Sequence, residues 1–301
     1  MTDKFVKSIT FVEGGDAYYP LPKVTNADDG KVLKVIDGEW SVTDLIPPHS
    51  YLSFLGNEDF TLETYNTTKN WDGTLEYSTD AITWNTWNGT EISSSGSQLY
   101  LRGTGNTKIT GDSVRFRFVF TGTDALKIAC EGNIENLLDY KTVSAGGHPT
   151  MADYCYCGMF RSCASLTKAP TLPATTLAKH CYQNMFTNCT SLTLAPALPA
   201  TTLANNCYGY MFYGCTALTT VPELPATKLA DRCYQSMFEG CTSIKLSTTQ
   251  IGEYQTPYRI PTTGAGTTAT DALTTMFYRT GGTFTGTPQI NTTYYTSNTV
   301  V

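Results

Sequence analysis

Apolar and polar positions recur in register between residues 150 and 245, where four units follow one another every 26 residues. They begin CYCGMF at Cys155, CYQNMF at Cys181, CYGYMF at Cys207 and CYQSMF at Cys233. Leu177, Cys181, Met185 and Cys189 fall four residues apart, the spacing that draws one apolar stripe along an α-helix. Thr176 and Thr202 precede the stripe as N-caps, with Lys228 at the same place in the next unit. Ser162, Asn188, Gly214 and Gly240 precede the last cysteine and suit a left-handed C-terminal cap. The pattern therefore predicts a helix of about three turns per unit. An extended arm with prolines at fixed places follows, because proline fixes φ and lacks a donor. A unit of this size cannot bury its own apolar face, so the units are expected to stack.

The expected core of the array is Cys155, Met159, Cys163, Cys181, Met185, Cys189, Cys207, Met211, Cys215, Cys233, Met237 and Cys241. The cysteines of each pair are eight apart, about 12 Å along a helix axis, which is too far for a disulfide. Reduced, buried thiols are predicted. A degenerate fifth unit is expected over residues 267–279, where Met276 and Phe277 echo Met237 and Phe238. The polar tail beyond it would cap the array.

Upstream, alternating and aromatic runs from Leu75, Leu99 and Val114 are separated by Asp-Gly, Asn-Gly and Gly-Thr-Gly turns. They predict short strands of a small antiparallel sandwich. Residues 1–48 read differently, with β-like pieces at 8–12 and 31–36. A hairpin is expected there, turning at Asp37-Gly38 and anchored by Trp40, and a hairpin this short needs a partner surface or sister chains. Pro47-Pro48 supplies a linker.

Only 15% of residues are charged and the net charge is −6, so a nucleic-acid partner is not expected. No apolar run reaches the roughly 18 residues of a membrane span, and no signal-peptide run follows the first basic residues. The reading is therefore synthesis and assembly in the cytoplasm without membrane insertion.

Candidate chemistry is sparse. The three histidines, His49, His148 and His180, do not recur and lack partners at metal-ligand spacing. A zinc site from Cys155, Cys157 and Cys163 lacks the usual second ligand pair. A Cys181–His180 nucleophile fails because adjacent helical residues point about 100° apart. The acids Asp153, Glu223, Asp231 and Glu239 share no repeat position that would line a catalytic groove. Gly103-Thr104-Gly105 reads as a turn rather than a phosphate loop. Neither an enzyme, a cofactor nor a metal is expected. What varies between units is more informative: Gln183-Asn184, Gly209-Tyr210 and Gln235-Ser236 differ, as do Lys179-His180, Asn205-Asn206 and Asp231-Arg232. Such a polar and aromatic surface suits recognition of glycan or protein, and His180, Asn206, Tyr210 and Arg232 are the candidate ligand contacts. A merely solvated face is the alternative.

The units, of the form CYxxMFxxCTSLTxAPxLPATTLA, resemble BspA-like leucine-rich repeats of surface and phage proteins associated with Bacteroidales. Leu75–Tyr77, Trp84, Trp87, Asn88-Gly89, Leu99–Gly103 and residues 132–138 resemble the β domain that often precedes such repeats. The run from Thr25 to Trp40 resembles the attachment segment of phage head fibres. The resemblance implies an α+β chain with three parts. Residues 1–48 would be a small β attachment and oligomerisation segment, with Val32, Leu33, Val35 and Trp40 in its buried contacts. Residues 49–141 would be the antiparallel β-sandwich-like domain, and 142–301 a leucine-rich-repeat solenoid with a C-terminal cap. It further implies a virion surface protein, a head fibre or capsid decoration, partnered by the major capsid or another virion protein. Three chains and adhesion through the repeats to host-surface or mucin glycan or protein complete that reading. A bacterial cell-surface adhesin and a phage tail or baseplate fibre are the alternatives.

Overall fold

The computed structural model describes residues 31–36, 39–44, 50–65, 69–111 and 116–301. The chain divides into two compact units, Met1–Pro48 and His49–Val301. In the first, β1 (Lys31–Ile36) pairs antiparallel with β2 (Glu39–Asp44), from Lys31 opposite Asp44 to Ile36 opposite Glu39. Val32, Leu33 and Val35 stand opposite Thr43, Val42 and Trp40 in that ladder. The Asp37-Gly38 turn, the piece at 8–12, the run from Thr25 to Gly30 and the Pro47-Pro48 linker lie outside the described residues.

The second unit opens with β3 (Leu52–Gly56), β4 (Thr61–Thr64), β5 (Thr74–Ser78), β6 (Asn85–Trp87), β7 (Ile92–Ser93), β8 (Gln98–Thr104), β9 (Phe118–Thr121) and β10 (Ile128–Glu131). Alternation of buried and less buried residues along β8 shows why these pieces are strands: Leu99 and Leu101 face inward while Tyr100 and Arg102 do not. β10, β3, β8, β5 and β6 lie side by side, antiparallel throughout, and β4 sits between β7 and β9 in a second sheet. Aromatic rings join the two sheets: Phe54 lies 5.1 Å from Phe120, Trp87 5.6 Å from Phe118, and Trp71 stacks on Trp87 at 5.3 Å. β10 then pairs in parallel with β11 (Leu166–Lys168), which already belongs to the repeats.

One α-helix occurs among the described residues, α1 (Asn136–Ser144), and the backbone of Asp139 interrupts it at φ −154°. It is held against β8 by Asn106, whose Nδ2 donates to the Leu137 carbonyl at 2.9 Å and to the Thr74 carbonyl at 2.8 Å. Gly103 permits that approach, since a Cβ there would sit 1.7 Å from the Leu137 carbonyl oxygen. No described helix is long and apolar enough to cross a membrane.

The expected α+β class with a leucine-rich-repeat solenoid is not found. The structure is mostly β, with several small sheets of which none is closed, and no solenoid of leucine-rich repeats forms. The three-turn helices are absent for a specific reason. Residues 153–162, 179–188, 205–214, 231–240 and 270–279 are runs of tight turns, and every fourth residue in them is left-handed. In the third run these are Asn206 (φ 57°), Tyr210 (φ 59°) and Gly214 (φ 70°). An α-helix needs φ near −60° at every residue, so one positive φ per four residues excludes it.

Backbone amides show what replaces the helix. Met211 and Tyr213 donate within their run to the Tyr208 and Tyr210 carbonyls, at 3.2 Å each. Tyr208, Tyr210, Phe212 and Gly214 donate instead to the next run, at Cys233, Gln235, Met237 and Glu239. The same alternation links each run to its successor, the fifth included through Tyr234 to Ala272 and Phe238 to Met276. Thr176 and Thr202 are not N-caps but form a parallel bridge to each other between neighbouring units.

Two-in, two-out periodicity follows from four-residue turns. Cys-Tyr and Met-Phe pairs are buried, so apolar residues recur at i, i+1, i+4 and i+5 rather than on one stripe. Phe160, Phe186, Phe212, Phe238 and Phe277 stack in a column with spacings of 5.6, 5.6, 5.6 and 5.4 Å. Tyr156, Tyr182, Tyr208 and Tyr234 form a second column at 5.6, 5.7 and 5.8 Å. One core continues from Leu52 in β3 through both columns to Tyr294. Behind the turns, small sheets close the far end. β12 (Thr220–Val221) pairs with β16 (Thr299–Val300), while β15 (Thr293–Thr296) lies between β13 (Leu246–Ser247) and β14 (Thr256–Arg259).

The tyrosine column divides by its hydroxyls. Tyr156 donates to the Ile134 carbonyl at 3.2 Å, whereas the buried hydroxyls of Tyr182, Tyr208 and Tyr234 have no hydrogen-bond partner among the described residues. Removing an unpartnered buried hydroxyl spares its desolvation, whereas removing a bonded one forfeits the bond. Tyr208→Phe is therefore expected to leave stability unchanged or raise it by up to about 1 kcal/mol, and Tyr156→Phe to lower it by about 1 kcal/mol. Urea unfolding of both variants checks this, and a Tyr208→Phe loss as large as that of Tyr156→Phe would show that the column's hydroxyls are bonded after all.

Candidate ligand groove on the turn face

Because the even-numbered amides of the first four runs are spent on the next run, side chains between the buried pairs are turned outward in columns that follow the stack. The first left-handed position holds Tyr154, His180, Asn206, Arg232 and Asp271. The second holds Gly158, Asn184, Tyr210, Ser236 and Thr275, and the third Ser162, Asn188, Gly214, Gly240 and Arg279. Residues immediately before the third column are Arg161, Thr187, Tyr213, Glu239 and Tyr278.

A groove of about 570 Å³ lies over the second column and its neighbours, with walls supplied by all five runs. Tyr210 and Tyr213 stand half-buried at its middle, their rings 6.1 Å apart and inclined by 48°. Asn184, Asn188 and Gln235 bring amides, Arg161 and Glu239 bring opposite charges, and Thr187, Ser236, Thr274 and Thr275 bring hydroxyls. Several of these are held from below. Thr187 Oγ1 donates to the Tyr210 carbonyl at 2.7 Å, and the Ser236 and Thr275 hydroxyls lie 2.7 Å apart across two runs. At Gly214 a Cβ would come 2.2 Å from Asn188 Oδ1, and φ is +70°, so glycine leaves room for the amide to lie over the turn.

Tyr210, Ser236 and Thr275 all line the groove from left-handed positions, at φ 59°, 51° and 53°. A bulky side chain at φ 59° is costly, about 1–2 kcal/mol for the left-handed conformation. Asparagine tolerates that conformation far better and occupies the same column one run earlier, at Asn184.

The four candidate contacts are not brought together. Tyr210 lines the groove, whereas His180, Asn206 and Arg232 belong to the first column. His180 stacks on Tyr154 at 4.3 Å and its Nδ1 lies 2.8 Å from Gln183 Oε1. Arg232 reaches Asp271 at 3.4 Å, and since both are exposed this pair adds little to stability. Asp153 and Asp231 bond to the backbone of the following run, at Lys179 and Thr270. Tyr213, Arg161 and Asn188 were missed as groove residues, and Glu239, set aside among the acids, belongs to the wall. Their signal was present: position 161 and its equivalents read Arg, Thr, Tyr and Glu between recurring neighbours.

The ten cysteines are all free and buried. The second thiol of each later pair is a donor: Cys189, Cys215 and Cys241 Sγ lie 3.0, 3.0 and 2.9 Å from the carbonyls of Phe160, Phe186 and Phe212 in the preceding run. Burial pushes these thiols upward, Cys215 from 9.0 to about 12, so they stay protonated and are not nucleophiles. Cys157 is pushed to about 11 by the same cause. Among the described residues no group of three or more His, Cys, Asp or Glu side chains is placed to hold a metal ion.

Comparison of the chain with protein-family models, with curated proteins and with solved structures finds no match in any of the three. The class of protein is therefore defined by the structure itself: stacked tight-turn runs behind a β-rich segment, with an open polar and aromatic groove along the stack.

The thiols generate a pH expectation. The folded state holds their protons more tightly than the unfolded chain, so stability is complete below about pH 9 and falls as pH rises toward about 12. Thermal melts between neutral and strongly alkaline pH check it. Replacing Cys215 and Cys233 by alanine should lower the neutral-pH melting temperature yet flatten the alkaline fall; an unchanged slope would show that these thiols do not titrate with unfolding.

Proposed function

We propose that this chain is a non-enzymatic structural protein of a bacteriophage virion surface, a head fibre or capsid decoration, whose turn face adheres to glycan on the host or its surroundings. The observation that carries the adhesion half is the groove around Tyr210 and Tyr213. Its walls offer amides and hydroxyls that both donate and accept, beside tyrosine faces that cover apolar surface at little entropic cost. The left-handed turn at Tyr210 belongs to the architecture, as at Tyr154, Arg232 and Thr275; the reading is supported instead by the half-buried ring it presents beside Tyr213. The buried, protonated thiols supply packing rather than a nucleophile.

The virion half rests on the resemblance of the run from Thr25 to Trp40 to head-fibre attachment segments. In this reading Val32, Leu33, Val35 and Trp40 make the contacts with the major capsid protein or another virion protein and between three chains. A two-stranded hairpin is marginal by itself, so such a segment gains order from a partner.

Two measurements test the halves separately. Tyr210→Asn should bind a glycan array at background level while its melting temperature stays equal to or above that of the parent, because asparagine relieves the left-handed strain. Full binding by Tyr210→Asn would remove the groove from the reading. Deleting residues 1–48 should leave a folded, monomeric fragment that no longer enters virions, as followed by light scattering and particle incorporation. A truncated chain that still decorates particles would remove the attachment role.

A further inference from the structure

Resting on the groove reading above, we infer that the ligand is a linear, uncharged polysaccharide lying along the stacking axis, with about one sugar ring to each turn run. Direction comes first. The groove takes lining residues from every run, Arg161 in the first, Asn184 in the second, Tyr210 in the third, Gln235 in the fourth and Thr275 in the fifth. Its long dimension is therefore the stacking direction, and the phenylalanine column fixes the step between equivalent positions at 5.4–5.6 Å. A ligand that meets the same columns at each step must be extended and must repeat at nearly that distance.

The step discriminates between polymers. An extended peptide rises about 3.3 Å per residue and repeats its side-chain direction every second residue, about 6.6 Å. Against a 5.6 Å pitch it loses about 1 Å of register per run. A peptide would also gain most from an open strand edge, and the even-numbered amides of the first four runs are already spent on carbonyls of the next run. A pyranose chain in extended form advances by roughly the pitch of the stack for each ring. Successive rings of a β-1,4 chain are turned over, but both edges carry hydroxyls that donate and accept, so each ring still meets the groove's amides and hydroxyls in register.

Charge excludes polyelectrolytes. Arg161 and Glu239 are the groove's ionic side chains and their formal charges offset. A polyanion would meet no row of cations, and a polycation no row of acids. Amides and hydroxyls match an uncharged polyol, and the tyrosines at the middle run give one ring an apolar face to stack on. The backbone beneath is fixed by bonds between runs, so little ordering is required when the ligand arrives.

The experiment uses the full chain and isothermal titration with neutral cello-, manno- and xylo-oligosaccharides from disaccharide to hexasaccharide. Oligogalacturonides and an extended Ser/Thr-rich peptide serve as the charged and peptide probes. At least one neutral series should tighten by roughly two- to tenfold per added ring and level off at about five rings. Tyr213→Ala should weaken the long oligomers, and Tyr210→Asn, chosen because it keeps the turn, should do the same. Affinity that is already maximal at the disaccharide and still depends on Tyr210 would overturn the axial arrangement while leaving the groove as a glycan site. Tighter binding of the oligogalacturonides or of the peptide would overturn the uncharged-polysaccharide assignment. No Tyr210-dependent binding of any glycan, here or on the array, would overturn both this inference and the adhesion reading it rests on.

Discussion

Alternate backbone amides in the turn runs point in two directions, and the rest of the molecule is organised around that division. In an α-helix every amide is spent on its own segment, so a helix meets its neighbours through side chains alone. Here one amide closes a turn inside the run and the next reaches the following run, at 2.7–3.0 Å for the links of residues 154–162 to 179–187. The left-handed residue at every fourth position is the conformational cost of turning the chain so that this alternation is possible. Each run thereby acquires a defined height above its neighbour before any side chain is considered.

Side-chain order follows from that height. A fixed step and a fixed turn geometry place chemically equal residues above one another, so Phe stacks on Phe and Tyr on Tyr with planes within about 13°. Cysteine at the end of the second, third and fourth runs fits the same logic. It is small enough for the space beside a phenylalanine column, and its thiol supplies a donor to a carbonyl that the previous run leaves facing it. A disulfide within a pair would remove those donors, so the reduced state belongs to the fold. The end runs are met by other elements: the β-rich segment donates to the first run through Ile109, Thr110 and Phe118 to the Cys155 and Met159 carbonyls, and Gly286 receives the amide of Phe277 in the last.

Part of this was legible in the sequence and part was not. Repeat length, the buried cysteines and methionines, and the fifth unit after an insertion could all be read, because identity of residue type in register signals identity of environment. Conformation could not be read from the same pattern. Leu177, Cys181, Met185 and Cys189 at intervals of four suit one face of a helix, and they equally suit a chain of four-residue turns. The discriminating signal lay in the residues between. Tyr182 and Phe186 are apolar at the next position, which gives the two-in, two-out pattern, and Asn184, Asn188 and Asn206 mark positions where a left-handed backbone is tolerated. The sequence marks one of those columns, with Ser162, Asn188, Gly214 and Gly240, as left-handed, but a left-handed residue there suits the end of a helix equally well. The other two were hidden because tyrosine, histidine and arginine occupy some of their places.

That concealment bears on function. Where the backbone bonds carry the architecture, an outward residue is constrained only by the left-handed turn it stands on, and glycine or asparagine satisfies that best. Gly158 and Asn184 do so in the second column, whereas Tyr210, Ser236 and Thr275 do not. The candidate groove was therefore misplaced by sequence reasoning for the same reason that it can be located in the structure. Variation alone selected His180, Asn206 and Arg232 together with Tyr210, because each differs from its counterparts in other units. Geometry separates them, since the first column leads along one side of the turns and the second opens into a volume shared by five runs. Variable residues make a candidate recognition surface only when the backbone converges them on one space, and in this chain the convergence is set by the stacking step rather than by any residue in the groove.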